Sequence, residues 1–580
     1  MPSRALPSTC NSDPAAEKQE PMPSAVTSGI SLGLTRIHRL LSLLHAPQTR
    51  VPVVHIAGTN GKGSVSAYLS SILHRAGIPT ARFNSPHLVD EWDCIHLHGR
   101  PVDEATYLAA KHEVERISRE EDVGATSFEV LTATAFSLFA RAKPPVRVAV
   151  VEVGMGGADD ATNVVPAEQT LLSVVTAVDL DHQKFLGDTI AEIARVKAGI
   201  ARAGGDLVVS CQSHADATEA IRAVAQERSA RLHQAGQATL LPDQEVPVAT
   251  PASPASSALA SDLPPAPLAS IPLSAEGTTP DSDGRAPAAN LVARLPLPGS
   301  YQLQNAATAV LCASLLRTLT RPRALVPELA THVTDAAIRE GVETTRWPGR
   351  LSWLTLPPPP PPSSSSTAAN TSAPAHGERL VLLDGAHNPS SANLLAEYLG
   401  SLPERFRPRT LVFGLSSPRD PAEVVAPLLR ALVGSSDAEA APEKEGVEDG
   451  ERYPPLKVVC CGFSPPAGMD WVRATTPAEL AASVEAVVSK LSGPGSAGSA
   501  PQVSNPDSGA GLGPTRPPPP RVQVLVAQDA AEALSLCEVP PASEEEERGQ
   551  VQEARPVVVA GSLYLVADVL RLVRARGGEV

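Results

Sequence analysis

Aromatic residues are scarce. Phe, Trp and Tyr make up only 3% of the 580 residues, and they do not interleave with any basic block. With no such stripe and a formal charge of −15, a nucleic-acid partner is not expected. No apolar run approaches the ~20 residues of a membrane-crossing helix. Residues 1–28 lack the apolar core of a secretion signal, and Asp13, Glu17 and Glu20 are carboxylates that a mitochondrial presequence avoids. A cytoplasmic protein without a membrane partner is therefore expected. The seven cysteines (Cys10, Cys94, Cys211, Cys312, Cys460, Cys461 and Cys537) include no C-x-x-C pair, so no zinc site or disulfide framework is visible. Several lie in apolar strand-like runs, where a buried thiol is the ordinary reading.

Proline, by contrast, is abundant, at 58 residues. It concentrates in stretches with little to bury: a tail (1–28) and inserts at 239–290, 357–374 and 492–520, beside an acidic stretch at 436–451. Between them lie helical patterns such as "LGLTRIHRLLSLL" from Leu32 and strand-like runs such as "VRVAVVEVG", "TLLSVVTAV" and "GDLVVSC". A second series, "RLVLLDGAHN", "RTLVFGLS", "LKVVCCGF", "RVQVLVAQ" and "RPVVVAG", begins after Arg346. Apolar strands alternating with helices predict an α/β fold with mostly parallel sheets covered on both faces.

One strand, "VPVVHIA", runs into "GTNGKGS" and an apolar helix expected to start near Ser64. Gly58, Gly61 and Gly63 let loop amides converge, the helix start adds its positive dipole end, and Lys62 adds a mobile cation. The result is a cradle for a polyphosphate. A strict phosphate loop has Ser or Thr directly after the Lys, and here Gly63 intervenes. Further short motifs follow at expected strand ends, where open α/β sheets gather ligands. Ser85, Glu152 and His182 are of the types that share a hard cation with a phosphate. Taken singly, Glu152 also reads as a strand-end charge and His182 as a loop histidine.

In this order, "GTNGKGS", "SPHL", "FE", "EVGMGG", "DATN", "DH", "FLGDTIAEIA", "KAGI", "NAA", "WPGRL", "DGAHNP" and "GSLYL" resemble the folylpolyglutamate synthase and dihydrofolate synthase family of Mur-ligase-like enzymes. The resemblance runs from about Ile30 to the C-terminus, inserts excepted, and is nearest to the fungal type of dihydrofolate synthase. It implies an N-terminal P-loop ATPase domain (29–345) and a smaller Rossmann-like C-terminal domain (346–580). It implies ATP and Mg²⁺, with dihydropteroate or a folate and L-glutamate as small-molecule partners. A monomer is expected. Asn60, Gly61, Lys62, Gly63 and Ser64 would hold the ATP phosphates, and Asn305, Arg350 and Asp384 the rest of the nucleotide. Ser85, Glu152 and His182 would ligate magnesium. Lys197 matches a lysine that the family carbamylates, which makes it an anionic metal ligand; otherwise it is a phosphate-facing ammonium or a surface residue. Lys62, Lys197 and His182 form the implied catalytic set. His387 is as readily structural as catalytic.

For the pterin end, the resemblance implies Ser31, Leu32, Gly33, Thr126, Ser127, Phe128, Glu129 and Asp160. Phe128 is a stacking face or a core residue, and Glu129 an acceptor for ring N–H groups. Ala158 and Asp159 stand where the family has Arg-Leu, and Tyr301 where it has His. The implied reaction is phosphoryl transfer from ATP to a carboxylate, then attack by the glutamate amine. The first glutamylation, of dihydropteroate, is favoured over tail extension or a bifunctional enzyme. A regulatory nucleotide-binding relative without activity is the alternative of another class.

Overall fold

The computed structural model describes residues 32–242, 263–276, 290–357, 379–434, 455–465, 472–492, 522–537 and 555–578. The expected tail, Ser31 and the tracts at 357–374, 436–451 and 492–520 lie outside these residues, save Pro357 and Ser492.

Valine-rich runs with no polar face cannot leave one side in water, and they form strands buried on both sides. The first sheet comprises β1 (Val53–Ala57), β2 (Thr80–Phe83), β3 (Ile95–Leu97), β4 (Arg100–Pro101), β5 (Val148–Glu152), β6 (Thr170–Val175), β7 (Asp206–Val209) and β8 (Arg231–Gln234). Its order is β4-β3-β2-β5-β1-β6-β7-β8, parallel except for the β3–β4 hairpin at one edge. One apolar cluster packs the Lys62–Arg75, Ser300–Thr318 and Asp335–Glu343 helices on one face. Another packs Thr35–Leu43, Glu104–Glu120 and Ser127–Arg141 on the opposite face.

A small antiparallel sheet follows, made of β9 (Thr239–Leu240), β10 (Leu268–Ile271) and β11 (Leu291–Arg294). For the described residues 263–276, it corrects the expectation that 239–290 has little to bury. Ala269 and Ile271 have no exposed surface, Leu273 has 4%, and all three join the first apolar cluster. Alternation within "LASI" points every second side chain inward, and four residues suffice for that.

The last sheet holds β12 (Ser352–Leu356), β13 (Arg379–Leu383), β14 (Thr410–Phe413), β15 (Leu456–Cys461), β16 (Val522–Ala527) and β17 (Val557–Ala560). Its order is β12-β13-β17-β14-β15-β16, with only β12 antiparallel to its neighbour. Helices cover both faces. Of the cysteines described, all are free thiols, and all but Cys211 are buried. Among the described residues, no helix is long and apolar enough to cross a membrane.

The loops after β1, β2, β5, β6 and β7 and those after β13, β14 and β17 converge on one cavity of about 1430 Å³. Carboxyl ends of parallel strands from both sheets therefore face the same space.

Candidate active site

The Lys62–Arg75 helix begins two residues earlier than expected, with Gly61 as its N-cap in a left-handed conformation (φ +89°). A side chain on Gly61 would place its Cβ 2.3 Å from Asn305 Oδ1, so the loop closes directly onto the Ser300–Thr318 helix. Asn305 Nδ2 donates to Gln302 Oε1 (3.0 Å), and Gln302 Nε2 donates to Ser64 Oγ (3.2 Å). Asn60, Gly61, Lys62, Gly63 and Ser64 all line the cavity, as does Asn305.

Lys62 Nζ donates to the carbonyls of Gly58 and Thr59, 3.1 Å from each, and lies 3.9 Å from Glu152 Oε1. Glu152 ends β5 at 5% exposure, and Asn84 Nδ2 donates to its Oε2 at 2.6 Å. Burial pushes the Glu152 carboxyl up, against the pull of Lys62, the Asn84 bond, Arg350 and Arg82. Lys197 is only 2% exposed, which excludes the surface reading. Its Nζ donates to Gly58 O at 3.0 Å. Burial, and then Lys62, push its pKa down to about 7, against Asp181 and Asp160.

His182 sits in a left-handed conformation (φ +51°) on a loop after β6, half exposed, with Nε2 3.5 Å from Asp181 Oδ2. Partial burial holds its pKa below the usual imidazole value despite Asp181. Ser85, Glu152 and His182 line the cavity. Among the described residues, no three His, Cys, Asp or Glu converge as a metal cage. A hydroxyl, one buried carboxylate and an imidazole whose pKa is held down nonetheless suit a small hard cation that draws its remaining ligands from phosphate and water. The donor set fits Mg²⁺.

The second sheet supplies the other wall. Asp384 follows β13, and its carboxylate accepts from Leu351 N and Ala386 N, both at 2.8 Å. Each oxygen thus already holds one backbone amide and has acceptor capacity left. Arg350 and Asp384 line the cavity with His387 and Arg419. His387 Nδ1 lies 2.7 Å from Gly385 O, which leaves Nε2 as the acceptor of a neutral ring. Burial and then Arg419 hold the His387 pKa down, to about 4.

Of the residues expected at the pterin end, the described ones, Leu32, Gly33, Thr126, Ser127, Phe128, Glu129 and Asp160, do not line this cavity. They gather beside it. Gly33 N donates to Asp159 O (3.2 Å), and Arg36, three residues on, pairs with Glu129 (3.0 Å). The Phe128 ring packs over Gly154, where a Cβ would approach it to 2.3 Å, and 6.2 Å from the Phe83 ring. Leu32 is exposed and Ser127 opens the helix that Thr126 caps. Asp160 is buried, its oxygens taken by Met155 N, Thr162 N and Thr162 Oγ1. Glu129 closes a capping box with Thr126 through Oε2, which also holds Arg36; only its Oε1 is without a partner among the described residues. That arrangement makes it a helix-end anchor first. Arg82, Asn84, Trp347 and Arg419 also line the cavity without a role having been expected of them. Trp347 stands in "WPGRL" and Asn84 next to "SPHL", where the resemblance points to Arg350 and Ser85, and Arg82 lies in a strand with no spacing that marks chemistry.

A family model described as the C-terminal domain of dihydrofolate synthetase matches residues 454–572. The chain is 28% identical over 546 residues to the dihydrofolate synthetase of Saccharomyces cerevisiae, a match covering 94% of this chain and 98% of that protein. It is 30% identical over 450 residues to a probable dihydrofolate synthetase of Schizosaccharomyces pombe, covering 77% of this chain and 86% of that one. Among solved structures, Mycobacterium tuberculosis folylpolyglutamate synthase complexed with ADP matches with a TM-score of 0.60 and 25% identity over 94% of each chain. A phosphate loop opposed by a second Rossmann-like sheet, together with likeness along most of its length to these proteins, places the chain in the dihydrofolate synthetase and folylpolyglutamate synthase family.

Proposed function

We propose that this chain is an ATP-dependent ligase that joins L-glutamate to 7,8-dihydropteroate through an acyl phosphate, forming dihydrofolate. The observation that carries the reading is the cavity wall at the glycine loop, where Lys62 and Glu152 meet, with Lys197 buried behind it on Gly58 O, facing strand ends of a second sheet across one cavity. Likeness to fungal dihydrofolate synthetases over most of the chain supports the choice of acceptor.

The amides from Asn60 to Ser64 hold the polyphosphate. Lys62, whose Nζ reaches the carbonyls of Gly58 and Thr59, turns to the phosphate oxygens. Ser85, Glu152 and His182 would hold Mg²⁺, joined by Lys197 once its amine has added CO₂ and lost a proton to become a carbamate; the ion would supply charge neutralisation for the transferring phosphoryl group. An oxygen of the substrate carboxylate attacks the γ-phosphorus; the C–O–P linkage forms and ADP leaves. The glutamate amine then attacks the acyl carbon, phosphate departs with its oxygen, and the amine loses a proton. Neutral His387 offers an unprotonated nitrogen on the second sheet's side. Units 29–345 and 346–580 closing on each other exclude water, which otherwise hydrolyses the intermediate.

The test offers purified protein ATP, Mg²⁺, L-glutamate and either 7,8-dihydropteroate or tetrahydrofolate monoglutamate. The two acceptors differ by a whole glutamate in where the reactive carboxylate lies, and only one can reach a near-attack separation of about 3–3.5 Å from the γ-phosphate. Dihydropteroate is expected to turn over well and the monoglutamate poorly. Equal or better extension of the monoglutamate replaces this reading with a polyglutamate synthase or a bifunctional enzyme. ADP binding without ligation of either acceptor replaces it with a regulatory protein.

A further inference from the structure

Two features of the cavity wall are left unexplained by the reaction described above. Gly63 stands where a strict phosphate loop has Ser or Thr. Arg82, on β2, is a guanidinium only 9% exposed, and its Nε has no hydrogen-bond partner among the described residues.

Both features meet at Trp347. The Arg82 guanidinium carbon lies 5.0 Å from the centre of the Trp347 ring, the geometry of a cation–π contact. Arg82 Nη2 donates to Nε2 of His96, at 3.0 Å, which fixes the guanidinium from the hairpin side. The indole also rests on the phosphate loop: a Cβ on Gly63 would lie 2.5 Å from Trp347 Cζ2 and 3.1 Å from Cε2. Contacts that close are not tolerated, so the ring occupies the space a side chain at 63 would need.

The segment that begins at Trp347 ends on the second sheet. Gly349 O accepts from Gly385 N at 3.0 Å, and Leu351 N donates to Asp384 at 2.8 Å. Residues 347–351 thus form a short tie, anchored at one end on the glycine loop and at the other on the strand end that carries Asp384. Arg350 is carried between the two anchors.

We propose that Trp347 is a positioning residue, clamped by Arg82, that holds the phosphate loop in register with the second sheet through the space left open at Gly63. This rests on reading the cavity as an ATP site. It also accounts for the glycine after Lys62: Ser or Thr there would expel the ring.

The experiment is a double-mutant cycle on the full-length chain, with ADP affinity measured by calorimetry, KM for ATP and kcat measured separately, and melting recorded. Gly63→Ala and Trp347→Leu are each expected to weaken ADP binding about tenfold or more. The double variant is expected to bind no worse than the weaker single, because the methyl has room once the ring is gone. Arg82→Met should weaken ADP roughly three- to tenfold, with Arg82→Lys restoring most of that. Strictly additive losses, or wild-type ADP affinity in Arg82→Met, overturn the proposal. If Trp347→Leu loses its cooperative melt, the Arg82 pair alone decides. ADP affinity does not depend on which acceptor is glutamylated. A chain that binds ADP and ligates nothing therefore defeats the ligase reading while the cycle still reports on the ring.

Discussion

Burial has opposite consequences for two charged side chains, depending on what meets them. Lys197 is buried among carbonyls with no carboxylate in ion-pair range among the described residues, and its pKa falls to about 7. Asp206, whose carboxylate has no exposed surface, meets Arg231 at 2.6 Å and His233 at 2.8 Å. Burial works to raise its pKa, but those hydrogen bonds outweigh it and the net shift is downward. A depressed carboxylate contributes stability above its unfolded pKa of about 3.9 and loses it as pH falls through the lower folded value. Asp206→Asn is therefore expected to cost about 1–3 kcal/mol near neutrality, and the gap to wild type should close below about pH 4. Denaturant melts across pH measure it; a gap as large at pH 3 as at pH 7 means the charge is not what holds the site. At this scale the sequence was partly legible. "TSFE" carries the S/T-x-x-E spacing of a capping box, a signal passed over when Glu129 was expected at the pterin; the structure uses it first to close a helix end. The reason for Gly63 was not legible, because the ring that fills its space comes from 284 residues further along the chain.

Elements were read well where the pattern was long. Five- and six-residue valine runs such as Val148–Glu152 and Leu456–Cys461 are buried throughout or nearly so, and burial on both faces leaves them no structure but a covered strand. Shorter elements escaped. The β3–β4 hairpin and β10 give too few alternations to stand out, and β10 lies in a segment whose composition argues for solvent. Its contribution is nonetheless that of core. Ile271 is fully buried in the cluster that also packs the phosphate-loop helix. Ile271→Ala is expected to lower stability by about 2–4 kcal/mol, transfer and cavity terms together. Chemical denaturation measures this, and a loss under about 0.5 kcal/mol, the scale of a surface change, assigns the strand to decoration.

The two large sheets meet at more than the cavity. The loop that follows β2 carries Ser85, and three residues further on Leu88 and Val89 leave the first sheet's surroundings for the second. Val89 is 2% exposed in the apolar cluster that contains Val566, Val569 and Val573 of the Leu563–Ala575 helix. Arg571 donates to Val89 O, and Arg574 reaches Asp90 at 3.3 Å. A valine plugged into the partner sheet's core, ringed by two arginines from the same helix, latches the loop that presents Ser85. If the chain is the ligase proposed above, closing the two sheets together and presenting Ser85 would be one event, so loosening the plug should expose the acyl phosphate to water before the amine arrives. Val89→Ala removes two methyl groups, about 1–2 kcal/mol of burial, which shifts a closed–open balance roughly tenfold. Binding of ADP should change little, since the phosphate loop is untouched. Phosphate release should instead exceed glutamate incorporation, where wild type releases one for each glutamate joined. Arg571→Ala is expected to do the same more weakly, because only the carbonyl contact is lost. Following phosphate and labelled glutamate in one reaction gives the ratio directly, and a ratio that stays at one in both variants means the plug packs the two sheets together without guarding the intermediate.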